Sequence, residues 1–431
     1  MSQPNPKNEA TLDIDRLSYG PYGIGRVEGR VMMVPRTASG DTIVARVVED
    51  KDRFSIGELV RVVRSSPVRR TPPCPYAGTC GGCSWQHIEY EHQLQAKRQS
   101  VEDALRRIGK LSGYDLRSII PAGDEFHYRR RIRLQVGPGR ELGFYGASSH
   151  DLVQIDACLI AAEPLSAEIA TLRRWVRAMN SNIEHVEIVS GDQADETVAV
   201  VQIAGDFIPR DEPVCESLIG EDGGIHGLIV AAQDLRKVWG EPRITLALGD
   251  DLELKVDGDV FTQVNPVGNR RILQELLSAG AFQSSDQVLE LFAGAGNFTL
   301  PIARRVNSVV AVEGDRSSVN NGKLNAQRND IDNIRWICSA VPKAVVELKR
   351  KRERFDKIVL DPPRAGFKGM EADLAALGAA RILYVSCNPT TLARDLAALT
   401  KQEYKLRTVQ PIDLFPQTFH VETLTVLERE G

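Results

Sequence analysis

Short apolar runs with two kinds of spacing follow one another along the chain and divide it into regions of different predicted structure. From residue 12 to about 65, β-rich runs at 29–35, 42–48 and 58–63 are separated by turn residues, which predicts a small barrel or sandwich. Residues 89–109 carry Leu94, Val101, Leu105 and Ile108 at helical spacing and predict a core-facing helix. A helix at 164–180 and strands at 186–190 and 197–204 then predict an α+β region.

The C-terminal region follows a third pattern, in which apolar strands stop at glycine, acidic or cysteine residues. The runs 288–291, 309–313, 334–337, 355–360 and 381–386 predict a doubly wound parallel sheet, and a further strand begins near residue 421. Because the carboxyl ends of parallel strands line one crevice, we expect Gly294, Glu313, Asp361 and Cys387 to converge there. The three patterns together predict three domains with the bounds 1–68, 69–250 and 251–431.

The composition is that of an ordinary globular protein, with 431 residues of which 42% are hydrophobic and 26% are charged. A formal net charge of −4 provides no global positive field, so any surface that binds nucleic acid must be local. The N-terminal residues lack the apolar core of a signal peptide, and no apolar run approaches the length of a membrane span. These features predict a cytoplasmic protein without a membrane segment.

Three of the seven cysteines, Cys74, Cys80 and Cys83, lie within ten residues and are separated by glycines that let the thiols converge. In a reducing compartment this spacing predicts a metal site and not disulfides. From spacing alone, either a zinc ion with His87 as its fourth ligand or an iron–sulfur cluster satisfies the pattern. Cys215, in an acidic loop that contains proline, is expected to be structural.

A local basic surface is predicted just after residue 128. If residues 128–136 form a strand, Arg129, Arg131 and Arg133 share one face and Arg130 lies on the other. Because this concentration of arginine opposes the acidic average of the chain, we expect it to contact phosphates.

The segment 288–299 runs from a strand into a glycine loop and then into a helix, which is typical of a cofactor site. Glu313 ends the next strand and is placed to accept hydrogen bonds from ribose hydroxyls. Thr299 stands where a dinucleotide enzyme would need its third glycine, which favours S-adenosylmethionine over NAD. Cys387 ends another apolar strand directly before Asn388 and Pro389, where a cysteine is either a nucleophile or a small core residue.

The N-terminal barrel resembles a TRAM domain, an RNA-binding module of the OB type. The resemblance rests on the glycine-rich segment 19–26, on the Val34-Pro-Arg segment and on Gly40-Asp41. Such a barrel would present its strands and basic side chains to a phosphate backbone, with Tyr19 or Tyr22 available to stack on a base.

Over nearly its whole length the chain resembles the RNA uracil-5-methyltransferase family, in the branch that carries a TRAM domain and an iron–sulfur site. The motifs that carry this resemblance are the cysteines at 74, 80 and 83 and the segments 261–265, 289–298, 361–364, 386–389 and 420–423. The resemblance implies an OB-like TRAM barrel, a central α+β iron–sulfur domain and a C-terminal α/β Rossmann-like methyltransferase domain that uses S-adenosylmethionine.

The family pattern also implies roles for individual residues. Cys387 is expected to be the nucleophile, Glu422 the base, and Phe261 a ring that stacks on the target base. The implied methyl-donor residues are Gln263, Phe292, Asn297, Glu313 and Asp361. The implied ligands of a [4Fe-4S] cluster are Cys74, Cys80, Cys83 and Cys158. One departure is Cys338-Ser-Ala340, which stands where many members have an acidic or amide residue near adenine.

The resemblance implies a monomer that makes 5-methyluridine in structured RNA, with 23S ribosomal RNA as the expected partner and the T-loop of transfer RNA as an alternative. A non-catalytic RNA-binding or assembly factor is the competing class of protein. The joint presence of Cys387, Glu422, Asp361 and Gln263 favours the enzyme, because a protein that only binds RNA needs none of them.

Overall fold

The computed structural model describes residues 9–193, 196–219, 224–233 and 235–430. Its N-terminal part is a closed barrel with the strand order β1-β2-β3-β5-β4. The strands are β1 (Glu9–Leu17), β2 (Tyr22–Val27), β3 (Arg30–Pro35), β4 (Thr42–Asp50) and β5 (Phe54–Arg64). Alternate residues such as Leu12, Ile14, Met32 and Val34 fill its core, as the two-residue period of a strand requires. The predicted barrel is therefore confirmed.

The predicted helix at 89–109 is α1 (Tyr90–Ala104), followed by one π-helical turn at 105–109. Leu94, Val101 and Leu105 are buried, but Ile108 is 48% exposed, so its predicted core position is wrong. A π turn contains more residues than an α turn, which rotates Ile108 away from the apolar stripe. Although α1 falls within residues 69–250, Val101 and Leu105 pack in the core of the C-terminal sheet.

The central region is a seven-stranded sheet with the order β13-β12-β11-β10-β7-β8-β9. The strands are β7 (Arg131–Val136), β8 (Leu142–Tyr145), β9 (Leu152–Gln154), β10 (Ile183–Ser190), β11 (Thr197–Ile203), β12 (Gly227–Ala232) and β13 (Leu235–Gly240). The helices are α2 (Glu163–Ala167), α3 (Ile169–Ala178) and α4 (Glu212–Leu218). Cys215, expected to be structural, is fully buried in α4 among apolar side chains.

A two-stranded hairpin, β14 (Arg243–Gly249) and β15 (Leu252–Asp257), joins the central region to the C-terminal one. The boundary expected at residue 250 falls in the turn of this hairpin. Leu246 and Leu254 of the hairpin pack together with Ile272 and Phe298, so the hairpin shares the core of the C-terminal region.

The C-terminal region is an eight-stranded sheet with the order β18-β17-β16-β19-β20-β22-β21-β6. The strands are β6 (Asp115–Leu116), β16 (Gln287–Leu291), β17 (Ser308–Glu313), β18 (Ile334–Cys338), β19 (Lys357–Leu360), β20 (Arg381–Ser386), β21 (Tyr404–Ile412) and β22 (Glu422–Arg429). The helices are α5 (Pro266–Gly280), α6 (Thr299–Ala303), α7 (Arg316–Arg328), α8 (Val341–Arg350), α9 (Glu371–Ala376) and α10 (Pro389–Leu399).

The strands β16 to β20 of this sheet are parallel, and β22 runs antiparallel to both β20 and β21. The predicted doubly wound sheet is therefore confirmed. Because the strand order reverses between β16 and β19, a crevice opens at the carboxyl ends of these two strands. Within the described ranges, no helix combines the length and the apolar character that crossing a bilayer requires.

Candidate active site

The crevice between β16 and β19 contains a pocket that collects most of the predicted donor-site residues. Its lining includes Gln263, Phe292, Asn297 and Asp361, together with the exposed ring of Phe261. Glu313 reaches the same place from the end of β17, since its Oε2 accepts a hydrogen bond of 3.0 Å from the backbone N–H of Gly294.

The loop after β16 adopts a backbone that explains its glycines. Gly294 and Gly296 have φ values of 55° and 104°, in the region that glycine adopts without strain. Phe292 also has a positive φ of 64°, which is uncommon for a bulky residue and typical of functional sites. Residues 292–295 of this loop line the pocket, and the backbone N–H of Gly294 is held by the carboxylate of Glu313.

Asn297 is held in the pocket by a partner that the sequence did not indicate. Its side-chain amide exchanges two hydrogen bonds, of 2.8 and 2.9 Å, with the amide of Asn269 on α5. The helix α5 is itself fixed at its start, because the side chain of Asn265 accepts a bond of 2.9 Å from the backbone N–H of Gly268. Asn269 therefore orients Asn297, although it lies 28 residues away along the chain.

Cys387 and Glu422 lie next to each other because of the register between two antiparallel strands. Ser386 at the end of β20 pairs with Thr423 of β22, so the following residue of one strand faces the preceding residue of the other. Cys387 lies in the turn between β20 and α10, where Asn388 caps the helix by accepting a bond of 3.0 Å from Thr390. The geometry thus brings together the predicted nucleophile and the predicted base.

Burial at this site favours the neutral forms of the reacting groups. Burial and then the neighbouring Glu422 raise the pKa of the Cys387 thiol to about 11, while Arg364 opposes that shift. Glu422 is 5% exposed, and burial raises its pKa to about 8. Burial also raises the pKa of Asp361 to about 7. Within the described part of the chain, no group donates a hydrogen bond to Oε2 of Glu422, so this oxygen is available to take a proton.

A further acidic residue, Glu290, lines the donor pocket but was not among the predicted site residues. It lies in the middle of β16, is 2% exposed, and burial raises its pKa to about 8. Its signal in the sequence is a lone acid inside an apolar run, a position that folded proteins rarely give to an unpaired charge.

Phe261 and either Tyr19 or Tyr22 were expected to contact RNA bases. The side chain of Phe261 is 70% exposed at the edge of the donor pocket, where it can contact a base. Tyr19 is instead half-buried, and its hydroxyl donates a hydrogen bond of 3.0 Å to the backbone oxygen of Cys387.

The four cysteines expected to bind a metal cluster line one cavity of about 240 Å³. Cys74, Cys80 and Cys83 lie on the loops before α1, and Cys158 reaches the cavity from the segment after β9. In the described ranges, no three histidine, cysteine or carboxylate side chains are grouped so that they could hold one metal ion. The Nε2 atom of His87 lies 3.2 Å from the backbone oxygen of Thr37. Burial lowers the pKa of His87 to about 4.

The predicted phosphate-contacting arginines are mostly engaged inside the protein. Arg130 pairs with Asp192 at 2.7 Å, and Arg131 pairs with Glu187 at 2.8 Å. Burial opposes ionisation of Glu187, but its arginine partners hold its pKa below the usual value. The prediction of an RNA surface is therefore wrong for Arg130 and Arg131, because both arginine side chains are largely buried and already pair with carboxylates of the protein.

Residues 338–340, where the sequence departs from the family pattern, lie between the end of β18 and the start of α8. Cys338 is exposed at the end of β18, and Ala340 occupies the position before α8 without a side chain that could cap the helix. This part of the chain therefore offers adenine no carboxylate or amide side chain from residue 340.

Comparisons with known proteins agree with this geometry. A family model described as tRNA (Uracil-5-)-methyltransferase matches residues 243–430, and a TRAM domain model matches residues 8–60. The chain is similar to two proteins named 23S rRNA (uracil(1939)-C(5))-methyltransferase RlmD. It is 33% identical to that of Mannheimia succiniciproducens, over 99% of this chain and 97% of the relative. It is 34% identical to that of Pseudomonas entomophila, over 97% and 93%.

A solved structure confirms the likeness at the level of the fold. The chain is similar to the Pyrococcus abyssi tRNA (uracil-54, C5)-methyltransferase in complex with S-adenosyl-L-homocysteine, with a TM-score of 0.73 and 22% identity. The match covers 96% of this chain and 100% of the other. The predicted TRAM barrel and the predicted methyltransferase fold are thus both confirmed.

Proposed function

The chain belongs to the RNA uracil-5-methyltransferase family, and we propose that it methylates carbon 5 of a uridine in structured RNA through Cys387 and Glu422. The observation that carries this proposal is the register of β20 and β22, which sets the Cys387 thiol beside the buried Glu422. Both groups lie within electrostatic range of Asp361, which lines the pocket. A protein that only binds RNA gains nothing from burying an acid beside a thiol, since burial of an unpaired carboxyl costs stability.

The reaction needs both groups because carbon 5 of uracil is a poor nucleophile. The Cys387 thiolate forms a bond to carbon 6, and the electron pair of the carbon 5–carbon 6 double bond makes carbon 5 nucleophilic. When bound, S-adenosylmethionine would supply the methyl group to carbon 5, and its sulfur would keep the electron pair of the broken sulfur–methyl bond. Glu422 removes the proton from carbon 5, the double bond forms again, and the thiolate leaves with the electron pair of the carbon–sulfur bond.

The surrounding residues prepare the two reacting groups. Arg364 partly offsets the rise in the pKa of Cys387 that burial causes, and so favours the thiolate that must attack. Burial raises the pKa of Glu422 to about 8, close to the pH of the solution, which suits a group that must both accept and return a proton. The exposed Phe261 ring is placed to stack on a uracil that has flipped out of the RNA. Gln263, Phe292, Asn297, Glu313 and Asp361 are assigned to the methyl donor.

We assign 23S ribosomal RNA as the substrate, because relatives with that name are similar over nearly the full length of this chain. Transfer RNA is the alternative, and the solved transfer RNA enzyme supports only the fold at its level of identity. The proposed chemistry acts on the uracil ring itself, so it does not distinguish between the two RNA substrates.

We also assign a [4Fe-4S] cluster to Cys74, Cys80, Cys83 and Cys158. The support is that all four thiols line one cavity, as the cysteine ligands of an iron–sulfur cluster would. The half-buried Arg129 lines the same cavity and can balance the negative charge of thiolates. His87 bonds to the barrel and not to this cavity, which disfavours the zinc alternative. Methylation needs no electron transfer, so we assign the cluster a structural role. It would join the loops before α1 to the segment that carries Cys158.

The test compares cells that lack this protein with cells that carry either the normal chain or its Cys387→Ala variant. We expect 5-methyluridine at one position of 23S ribosomal RNA only with the normal chain, as mapped by sequencing or mass spectrometry. In vitro, RNA containing 5-fluorouridine should trap a covalent complex with the normal chain, because fluorine cannot leave as a proton does. Methylation by the Cys387→Ala variant at a near-normal rate would refute the proposal, and a mark in transfer RNA alone would refute the substrate assignment.

A further inference from the structure

The tip of the β1–β2 hairpin in the N-terminal barrel reaches the reaction centre. The backbone N–H and the hydroxyl of Ser18 both donate to the backbone oxygen of Tyr22, at 2.9 and 3.0 Å. These two bonds close a short loop that contains Tyr19, Gly20 and Pro21. The loop therefore presents the Tyr19 ring from a fixed turn at the end of the barrel.

Tyr19 contacts both of the segments that carry the reacting groups. Its hydroxyl donates a bond of 3.0 Å to the backbone oxygen of Cys387, which lies 368 residues further along the chain. Its ring meets the ring of Phe419 edge-on, with centroids 5.5 Å apart and planes at 89°. Phe419 lies three residues before Glu422 on the segment that leads into β22. One side chain of the barrel thus touches the nucleophile's turn and the base's segment.

The barrel is seated firmly enough to hold this side chain in place. Arg16 of β1 forms an ion pair with Asp103 of α1. Leu17 packs with Phe419 against a small core that includes Trp85. Tyr19 is therefore held by a packed interface and does not sit on a free arm.

The chemical state of Tyr19 suits a positioning role. Burial, and secondarily the thiol of Cys387, raise the pKa of the phenol, so it stays neutral at any working pH. A neutral hydroxyl can donate to the Cys387 backbone oxygen without adding a charge beside the thiolate. A phenol at this position is also too enclosed to stack freely on an RNA base, which separates it from the exposed Phe261.

We propose that Tyr19 is a positioning residue for the methyl-transfer site, whose hydroxyl holds the Cys387 turn and whose ring supports the segment before Glu422. This inference rests on the proposed function, because it assumes that Cys387 attacks the base. Through Tyr19, the barrel is then part of the reaction centre as well as an RNA-binding module. A small displacement of a nucleophile is enough to slow a reaction strongly, so the loss of one supporting bond should reduce the rate.

The test is Tyr19→Phe, which removes the hydroxyl and keeps the ring. With saturating RNA that contains 5-fluorouridine, we expect adduct formation to slow by about two- to tenfold, as the loss of one hydrogen bond predicts. The KM for RNA and the melting temperature should stay unchanged, so that the loss appears in kcat. The matched control is Tyr114→Phe, since in the described part of the chain the Tyr114 hydroxyl has no hydrogen-bond partner and the ring packs in the C-terminal core.

Three results would overturn this inference. The first is a normal rate of adduct formation in Tyr19→Phe, and the second is a higher KM for RNA with an unchanged kcat, which would make Tyr19 an RNA contact. The third is an equal loss of rate in Tyr114→Phe. Each leaves the proposed function standing if Cys387→Ala is inactive, whereas an active Cys387→Ala variant removes the proposed function itself.

Discussion

Replacing Glu422 with glutamine tests the final step of the reaction directly. Glutamine keeps the shape of the side chain but cannot take the proton from carbon 5. A positioned general base accelerates proton removal by about 100- to 10,000-fold, so the variant should slow release of the carbon 5 hydrogen by a factor in that range. The methylated adduct then collapses more slowly than it forms, and most of the enzyme should become linked to RNA.

The pH dependence follows from the raised pKa of Glu422, which burial places at about 8. A base must be ionised to act, so about one tenth of the enzyme is competent at pH 7 and about one hundredth at pH 6. The rate of tritium release from the methylated adduct, measured after the bond to Cys387 has formed, should therefore rise about tenfold per pH unit up to about pH 8 and then level off. In Glu422→Gln this dependence should disappear from the release step.

The assay runs single turnovers with labelled RNA and separates linked from free protein on a denaturing gel. Glu290→Gln is the matched control, because burial also raises the pKa of Glu290 to about 8 while the residue lines the donor pocket. That control should weaken donor binding and should not accumulate the adduct. Normal tritium release by Glu422→Gln, or equal adduct accumulation by both variants, would show that Glu422 is not the base.

Two further predictions concern stability and metal content. Lys97→Met should destabilise the fold by about 3–5 kcal/mol, because it leaves Asp413 without its 2.7 Å ion-pair partner where both side chains are 0% exposed. Urea unfolding should show at most about 1 kcal/mol for the control Lys349→Met, whose pair with Asp373 is exposed. Anaerobically purified Cys158→Ser protein should contain less iron and sulfide than the normal chain, whereas the control Cys215→Ala should keep both. Stoichiometric zinc in the normal chain would contradict the cluster.

Several features could be predicted from the sequence because they depend on local patterns. The two-residue period of the barrel strands and the apolar runs of the C-terminal strands each specify an element from neighbouring residues alone. The glycine loop at 294–296 could be recognised for the same reason, since its positive φ values require glycine wherever the fold places it. Cys387 at the end of a strand was likewise visible from its own segment.

Other features were decided by contacts between distant segments, which no local pattern encodes. The register of β20 with β22 sets Glu422 beside Cys387, and strand register depends on how two whole strands pack. From the sequence, Arg130 and Arg131 were expected to form a basic surface, but in the fold they pair with Asp192 and Glu187, which lie more than fifty residues away along the chain. From the sequence, Tyr19 was expected to contact RNA, but the packing of the barrel places its hydroxyl against the backbone oxygen of Cys387. The sequence by itself determined the elements and the reactive residue types, whereas long-range packing decided which of them meet at the reaction centre.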